Sequence, residues 1–261
     1  MKKGLKIFLI VIVILVLLVL IGLARLGYMS GVAKVFGWDK PRDLGITYTD
    51  EDFKSAFKKS AADYGVLPEG TPDANSIQFL GSNSVTTSWS SSEVTSLLND
   101  RPWKYWPISD VQLRINEDNS VEMSGIINSN KLKGYAAGIG VPQAVIERIS
   151  LLPSEAPFYI KGTGSLNQNT VSSFDLTQAE LGRTSIPTGI LLSGDSIILN
   201  KALAESVVDE LSQYSGKKAY IVDFINSKLS WVNGFFAKRA EFKNGNLEFE
   251  GTIPDKELTV R

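Results

Sequence analysis

The 261-residue chain contains neither cysteine nor histidine. Without cysteine it can form no disulfide framework, thiolate nucleophile, zinc–thiolate site or iron–sulfur cluster. Without histidine it has no Ser-His-Asp triad, no imidazole metal ligand and no side chain that ordinarily titrates near neutrality. An excess of one charge is lacking too. The 27 Lys and Arg nearly balance 28 Asp and Glu, and a net charge of −1 gives no general attraction for nucleic acid. No Asn-x-Ser/Thr sequon occurs, so N-glycosylation is not expected. Gly134 to Gly140 has neither the phosphate-loop nor the dinucleotide-binding spacing, so nothing announces a nucleotide cofactor.

What is present in quantity is one long apolar run. Ile7 to Ala24 holds no polar side chain, and as a helix it would be about 27 Å long, near the hydrocarbon thickness of a bilayer. Lys2, Lys3 and Lys6 precede it and only Arg25 follows closely. The charge bias predicts a single-pass anchor with a cytoplasmic N-terminus and an extracytoplasmic main domain. Gly22-Leu23-Ala24 has the form of a cleavage site, but the run is longer than a signal-peptide core of roughly 7–15 residues. Leaving out Lys2, Lys3, Lys6 and Arg25, 23 basic residues face 28 acidic ones, so the part outside carries a net −5.

The chain divides into a tip and anchor over 1–25, a connector over 26–48 and an extracytoplasmic domain over 49–261. Thr49 followed by Asp50, Glu51 and Asp52 marks a helix start. Phe53, Ala56, Phe57 and Ala61 then make one apolar face. The Pro/Gly-rich stretch from Gly65 to Asn75 is read as the loop that ends this helix.

From residue 76 the period is two. Ile77 and Phe79 predict a hairpin through Gly81-Ser82-Asn83 to Val85, Thr87 and Trp89. Ser91 or Ser92 caps a short helix. Val111, Leu113 and Ile115 turn at Asn116–Ser120 to Val121 and Met123, and a helix opens at Pro142. A third hairpin turns between Gly162 and Asn169. Two helices follow, one on Leu203, Val207 and Leu211, the other on Ile221, Phe224, Ile225 and Leu229. Asn244-Gly245 between alternating segments closes the last hairpin. The second and last hairpins resemble each other, as a repeat or as two hairpins obeying one rule. The fold class expected is α+β: an N-terminal transmembrane helix, then a curved antiparallel, hairpin-rich sheet packed with amphipathic helices.

Catalytic signals are thin. Ser55-Ala-Phe-Lys58 has the spacing of a Ser–Lys pair, and Ser215-Gly-Lys-Lys218 repeats it in a loop. Lys161-Gly-Thr-Gly164 interrupts the K-T-G order with an extra glycine, and no S-D-N motif lies between. Glu117-Asp118-Asn119 lacks the ligand order of a calcium loop. No catalytic, metal or cofactor-binding residue is expected, and an enzyme is not. The more informative residues are aromatic. Trp103, Tyr105 and Trp106 lie between Pro102 and Pro107; Trp231, Phe235 and Phe236 flank Asn233-Gly234, with Lys238 and Arg239 beside them. These six form the candidate binding surface, suited to an apolar ligand, a sugar or a membrane edge.

The anchor, the capped Ser-x-x-Leu-Leu-Asn99 helix, PISDVQLRINEDNSVEMSG from Pro107 to Gly125 and FINSKL…EFKNGNLEFEGTIP from Phe224 to Pro254 resemble YpmS-like bacterial membrane-anchored proteins. More loosely they resemble envelope proteins of tubular lipid-binding (TULIP-like) architecture. The likeness spans roughly residues 85–254, and residues 26–84 have no counterpart in it. It implies a curved sheet wrapping a helix, with an apolar groove for acyl chains. The expected function is membrane-tethered, non-catalytic binding of lipid or another apolar envelope component. The alternative is an envelope interaction protein that holds a protein partner or cell-wall polymer through the aromatic patch. A reporter that fluoresces only in the cytoplasm is expected to be bright when fused before Met1 and dark when fused after Arg261. The reverse pattern would refute the orientation.

Overall fold

The computed structural model describes residues 3–188 and 219–261. It is an α+β fold built on an eight-stranded antiparallel sheet curled into a half-barrel, with a three-stranded sheet beside it. The helices are α1 (Lys3–Arg25), α2 (Ser30–Val35), α3 (Asp50–Ser60), α4 (Ser91–Asn99), α5 (Ser129–Gly138), α6 (Gln143–Ile149) and α7 (Ala219–Trp231). The strands are β1 (Asp63–Val66), β2 (Ile77–Leu80), β3 (Asn83–Ser90), β4 (Ile108–Ile115), β5 (Val121–Asn128), β6 (Glu155–Asn167), β7 (Thr170–Leu181), β8 (Thr184–Ser185), β9 (Phe236–Lys243), β10 (Asn246–Ile253) and β11 (Lys256–Thr259). The helix expected on Leu203, Val207 and Leu211 and the Ser215–Lys218 loop lie outside the described residues.

The large sheet forks at β6. One edge of β6 pairs along its length with β7. The other pairs first with β5, from Glu155 to Gly162, and then with β9, from Ser165 to Asn167. One wing is therefore β5–β4 and the other β9–β10–β3. The hairpin tips of the two wings meet where the Asn244 amide donates to Asn119 Oδ1 at 3.3 Å.

Alternation decides what each face buries. In the β3–β10–β9 wing, Leu247 sits between Trp89 and Phe242, and Phe249 between Thr87 and Ala240. These residues face the concave side, while Ser88 and Glu248 point the other way. The core joins Trp89, Val85, Phe249, Ala237 and Ala240 to Ala56 of α3, with Val94 and Leu97 of α4 packed against it. The Trp89 indole N–H donates to the Ala56 carbonyl at 3.3 Å. A bulge between Glu250 and Gly251 tightens the curl. A side chain at Gly251 would lie 2.0 Å from the Phe236 carbonyl, so only glycine allows the strands to come this close.

Both helices on this wing start in capping boxes. Thr49 and Asp52 cap α3, as the sequence indicates. Ser90 and Glu93 cap α4, one residue before the serines expected to do so. Buried Glu93 also takes the Ser55 hydroxyl at 2.6 Å and the Lys59 ammonium at 2.7 Å, which ties α3 to α4.

The structure corrects several boundaries. β2 and β3 do not form a hairpin together: β2 pairs with β11 and β3 with β10. The stretch after α3 contains β1, which lies parallel to β11. Backbone partners supplied by the C-terminal segment, almost 200 residues away in sequence, made both invisible to a local pattern. The third hairpin turns at Gln168-Asn169, with strands reaching well past Gly162.

The connector over 26–48 is a strap packed on the outer face of the β4–β5–β6–β7 wing. Arg42 donates from Nε and Nη2 to the two carboxylate oxygens of Glu180 and stacks over the Tyr159 ring at 4.1 Å. The Leu44 amide donates to Gln112 Oε1 at 2.7 Å, and Leu44 is buried. Beneath the strap, Glu122 accepts from Arg114 at 2.8 Å, Tyr159 at 2.8 Å and Asn116 at 3.0 Å. The strap begins at α1, which ends in a Schellman motif: Tyr28 N–H to Leu23 O at 3.0 Å and Gly27 N–H to Ala24 O at 3.1 Å, with Gly27 at φ +97°. The Arg183 amide donates to the Arg25 carbonyl at 2.8 Å, and Gly182 lies so close that a Cβ would sit 1.9 Å from that oxygen.

Among the described residues no helix is long and apolar enough to cross a membrane; side chains of α1 are described only from Ile12 onward. From Ile12 to Ile21 every one of them is apolar and exposed, on all sides of the helix.

Burial pushes the Glu122 carboxyl up, but its hydrogen bonds from Arg114, Tyr159 and Asn116 outweigh this and hold it at about 2. Burial and the bond to Glu122 push the Tyr159 phenol up to about 12. A depressed carboxyl stabilises the fold above its unfolded value near 4.3 and loses that contribution as pH falls through about 2. Unfolding free energy is therefore expected to drop by roughly 2–3 kcal/mol between pH 5 and 2 from this residue. Glu122→Gln should flatten that slope in urea titrations and lower stability at pH 7. An unchanged slope would contradict the network.

Candidate functional site

Among the described residues, the core inside the half-barrel does not close. A cavity of about 400 Å³ lies between the concave sheet and α7, lined by Trp89, Leu166, Phe174, Phe235, Phe242 and Phe249 among others. Ile225 of α7 also faces it. A second cavity, of about 460 Å³, is bounded by Phe57 of α3, Val94 and Leu97 of α4, Phe79 of β2 and Val232. Phe235, Leu247 and Ile253 line both. The two are neighbours across a shared apolar wall, and each falls within the range of a small-molecule site.

Local structure explains this gap. Gly164 of β6 supplies no side chain, and a Cβ there would find only the Ser173 carbonyl, at 3.6 Å. Leu166, two residues on and on the same face, is packed against the core cluster. The helices α3 and α4 cover the β3–β10 end, leaving the β6–β7 end to α7 and Phe235.

The second cavity has a polar end. Arg101 and Glu257 both line it, joined by a bidentate ion pair in which Arg101 Nε donates to Glu257 at 3.0 Å. Tyr64 lines the same end. Burial raises its phenol above the usual range, with Glu257 adding to that and Arg101 opposing it. The phenol therefore stays neutral at physiological pH. Nothing polar comparable lines the first cavity apart from Ser165, Ser173 and Glu241.

The six aromatic residues singled out from sequence do not form one surface. Trp103 is 3% exposed and packs against Tyr135 at 5.2 Å and edge-on to Tyr105 at 6.4 Å. The Trp106 indole donates to the Leu98 carbonyl at 2.6 Å, beneath the Arg101 guanidinium at 4.8 Å. Tyr105 donates to Asp73. This first cluster clamps α4 and α5 to the start of β4, and touches the second cavity only through Leu98 and Arg101. Of the second cluster, Phe235 reaches the cavities, and Trp231 and Phe236 line neither. Phe235 lines both and lies 5.9 Å from Phe249; Trp231, 38% exposed, meets Phe79 edge-on at 5.7 Å. Phe236 is 41% exposed beside them.

The Ser55–Lys58 spacing assembles no catalytic pair. The Ser55 hydroxyl is engaged by Glu93, the cation beside it is Lys59, and both Ser55 and Lys58 lie on the exposed side of α3. Asp118 accepts from the Ser120 amide and hydroxyl at 3.0 and 2.6 Å, a turn-forming role. Sequence reading missed Arg101–Glu257, because a pair so far apart in the chain leaves no local signal. Trp89, Phe242, Leu247 and Phe249 did leave one, the period of two, but alternation cannot say whether an inward face is filled.

No family model, no curated protein and no solved structure matches the chain.

Trp103→Ala is expected to cost about 3–5 kcal/mol of unfolding free energy, as for other large-to-small changes at buried aromatics. Trp231→Ala should cost about 1 kcal/mol or less. Urea midpoints of the two variants measure the difference. Equal effects would place Trp103 at the surface.

Proposed function

We propose that this protein is a membrane-tethered, extracytoplasmic, non-catalytic binding protein for a lipid or another apolar envelope component. The observation that carries the reading is the pair of adjoining apolar cavities within the half-barrel, sharing Phe235, Leu247 and Ile253. A linear hydrocarbon chain suits a site whose first chamber is apolar but for Ser165, Ser173 and Glu241 and whose second has its polar end at Arg101 and Glu257. The resemblance to YpmS-like and tubular lipid-binding proteins supports the same ligand class.

Tethering rests on α1. Its described side chains, Ile12 to Ile21 and Leu23, are apolar and exposed on every side. That surface is unfavourable in water and suited to hydrocarbon, at about 25 cal/mol per Å². With Lys2, Lys3 and Lys6 before it, the helix enters from the cytoplasmic side and holds the domain at the outer face of the cell membrane. The alternative, an interaction protein working through six exposed aromatics, loses Trp103 to the interior.

The full chain, released from detergent in native mass spectrometry, is expected to retain a lipid adduct. Gly164→Leu, which fills the first cavity from its wall, should lose it at least tenfold while keeping the wild-type thermal midpoint within a few degrees. A bare wild-type protein, or equal adducts on both proteins, would refute the lipid reading.

A further inference from the structure

The apolar sheath of α1 does not stop where the helix stops. Tyr28 is 49% exposed, Val35 80% and Phe36 59%, all within the short segment that follows the helix. Leu151, 72% exposed, joins them from the loop between α6 and β6. The Tyr28 hydroxyl donates to the Leu151 carbonyl at 2.5 Å, which fixes that loop beside the helix exit. Phe36 stacks on Trp38 at 4.7 Å, and the Arg25 guanidinium lies 5.8 Å over the Trp38 ring. Five apolar or aromatic side chains from two separate parts of the chain thus surround the point where α1 meets the sheet.

Their charged neighbours are mainly cationic. Arg25, Lys40 and Arg183 are linked here, with Asp39 in the strap and Glu155 at the start of β6 as acidic neighbours. Arg183 donates to the Lys40 carbonyl at 2.9 Å and its own carbonyl accepts from Arg25 at 2.9 Å, so the group is held together. Tyr and Trp beside Lys and Arg, at the end of an apolar helix, is the composition of a membrane–water interface.

The junction is rigid. The Schellman turn packs Gly27 on Ala156 at the start of β6, and Gly182 in the β7–β8 turn abuts the Arg25 carbonyl, so the end of α1 is held on two sides. A helix seated in the bilayer would therefore bring this edge to the headgroup layer and keep it there.

We propose that the edge formed by Tyr28, Val35, Phe36 and Leu151 docks into the outer-leaflet headgroup layer of the bilayer that α1 enters, so that the domain stands on the membrane in one orientation. This rests on the reading of α1 as an anchor. The partner is the lipid surface itself, chosen because the patch is continuous with the exposed sheath of α1 and carries cations suited to anionic headgroups.

The absence of cysteine makes the test clean. Leu15→Cys, Val35→Cys, Leu151→Cys and Glu117→Cys are each labelled with an environment-sensitive fluorophore. The full chain is then placed in vesicles of phosphatidylcholine with phosphatidylglycerol. Quenchers sit either in the headgroup layer or deep in the acyl chains. Leu15 should be quenched by the deep probe. Val35 and Leu151 should be quenched by the headgroup probe at least threefold more than Glu117 at the distal β4–β5 turn. Deep quenching at Leu15 with Val35 and Leu151 behaving like Glu117 would overturn the docking edge and leave the anchor standing. No quenching at Leu15 would overturn the anchor, and the docking edge with it.

Discussion

Strand β6 is the element on which the rest depends. Its thirteen residues offer one edge to β7 and divide the other between β5 and β9. A single strand thereby hydrogen-bonds both wings of the sheet, and among the described residues neither wing has another strand joining it to its counterpart. Backbone groups left unpaired in an interior are costly, so the position of the fork along β6 determines where the wings part. The wings then differ in what covers them. Helix α3 packs against β3, α4 runs along the free edge of β4 and α7 faces β7, while the Arg42–Leu44 strap covers the outer face of the β4–β5 wing.

The two coverings reflect two kinds of physics. On the strap side, burial is polar and mostly partnered, with Glu122 satisfied by three donors and Arg42 placed between Glu180 and the Tyr159 ring, while among the described residues Arg114 Nε and Asp39 Oδ1 have no partner. Networks of this type specify one register and are costly to break, though an apolar core of the same volume could be as stable. On the helical side, burial is apolar and incomplete, and the shortfall lies next to the fork, where β6 carries Gly164 in place of a larger residue. The arrangement concentrates specificity on one wing and unfilled volume on the other.

Local signals carried much of this architecture. Caps at Thr49 and Ser90, the Asn244-Gly245 turn and the alternation through Trp89 and Phe249 all follow from residues near one another in the chain. Pairings that close over long separations left no such trace. β11 joins β1 and β2, Arg101 meets Glu257, and the strap crosses strands that begin some 60 residues later. A run rich in glycine and isolated apolar residues looks like a connector in isolation; it becomes a packed element only when Gln112 and Glu180 are in place to receive it. The aromatic clusters show the same limit. Composition marked both, but whether an indole faces inward depends on Tyr135 and Leu98, which its immediate neighbours do not reveal.

The length of β6 also sets a kinetic condition. Ala156, at the α1 junction, and Gly164, at the first cavity, are eight residues apart on one strand, about 26 Å at 3.3 Å per residue. On the lipid-binding and docking readings proposed above, an acyl chain held at Gly164 would lie up to that distance along β6 from a bilayer meeting the domain at Ala156. Carrying that chain through water exposes each methylene at about 0.8 kcal/mol, on the order of 10 kcal/mol for a chain of a dozen or more carbons. Exchange between membrane and cavity would then be limited by the crossing rather than by affinity, and a loaded domain would keep its cargo far longer than its binding constant alone implies.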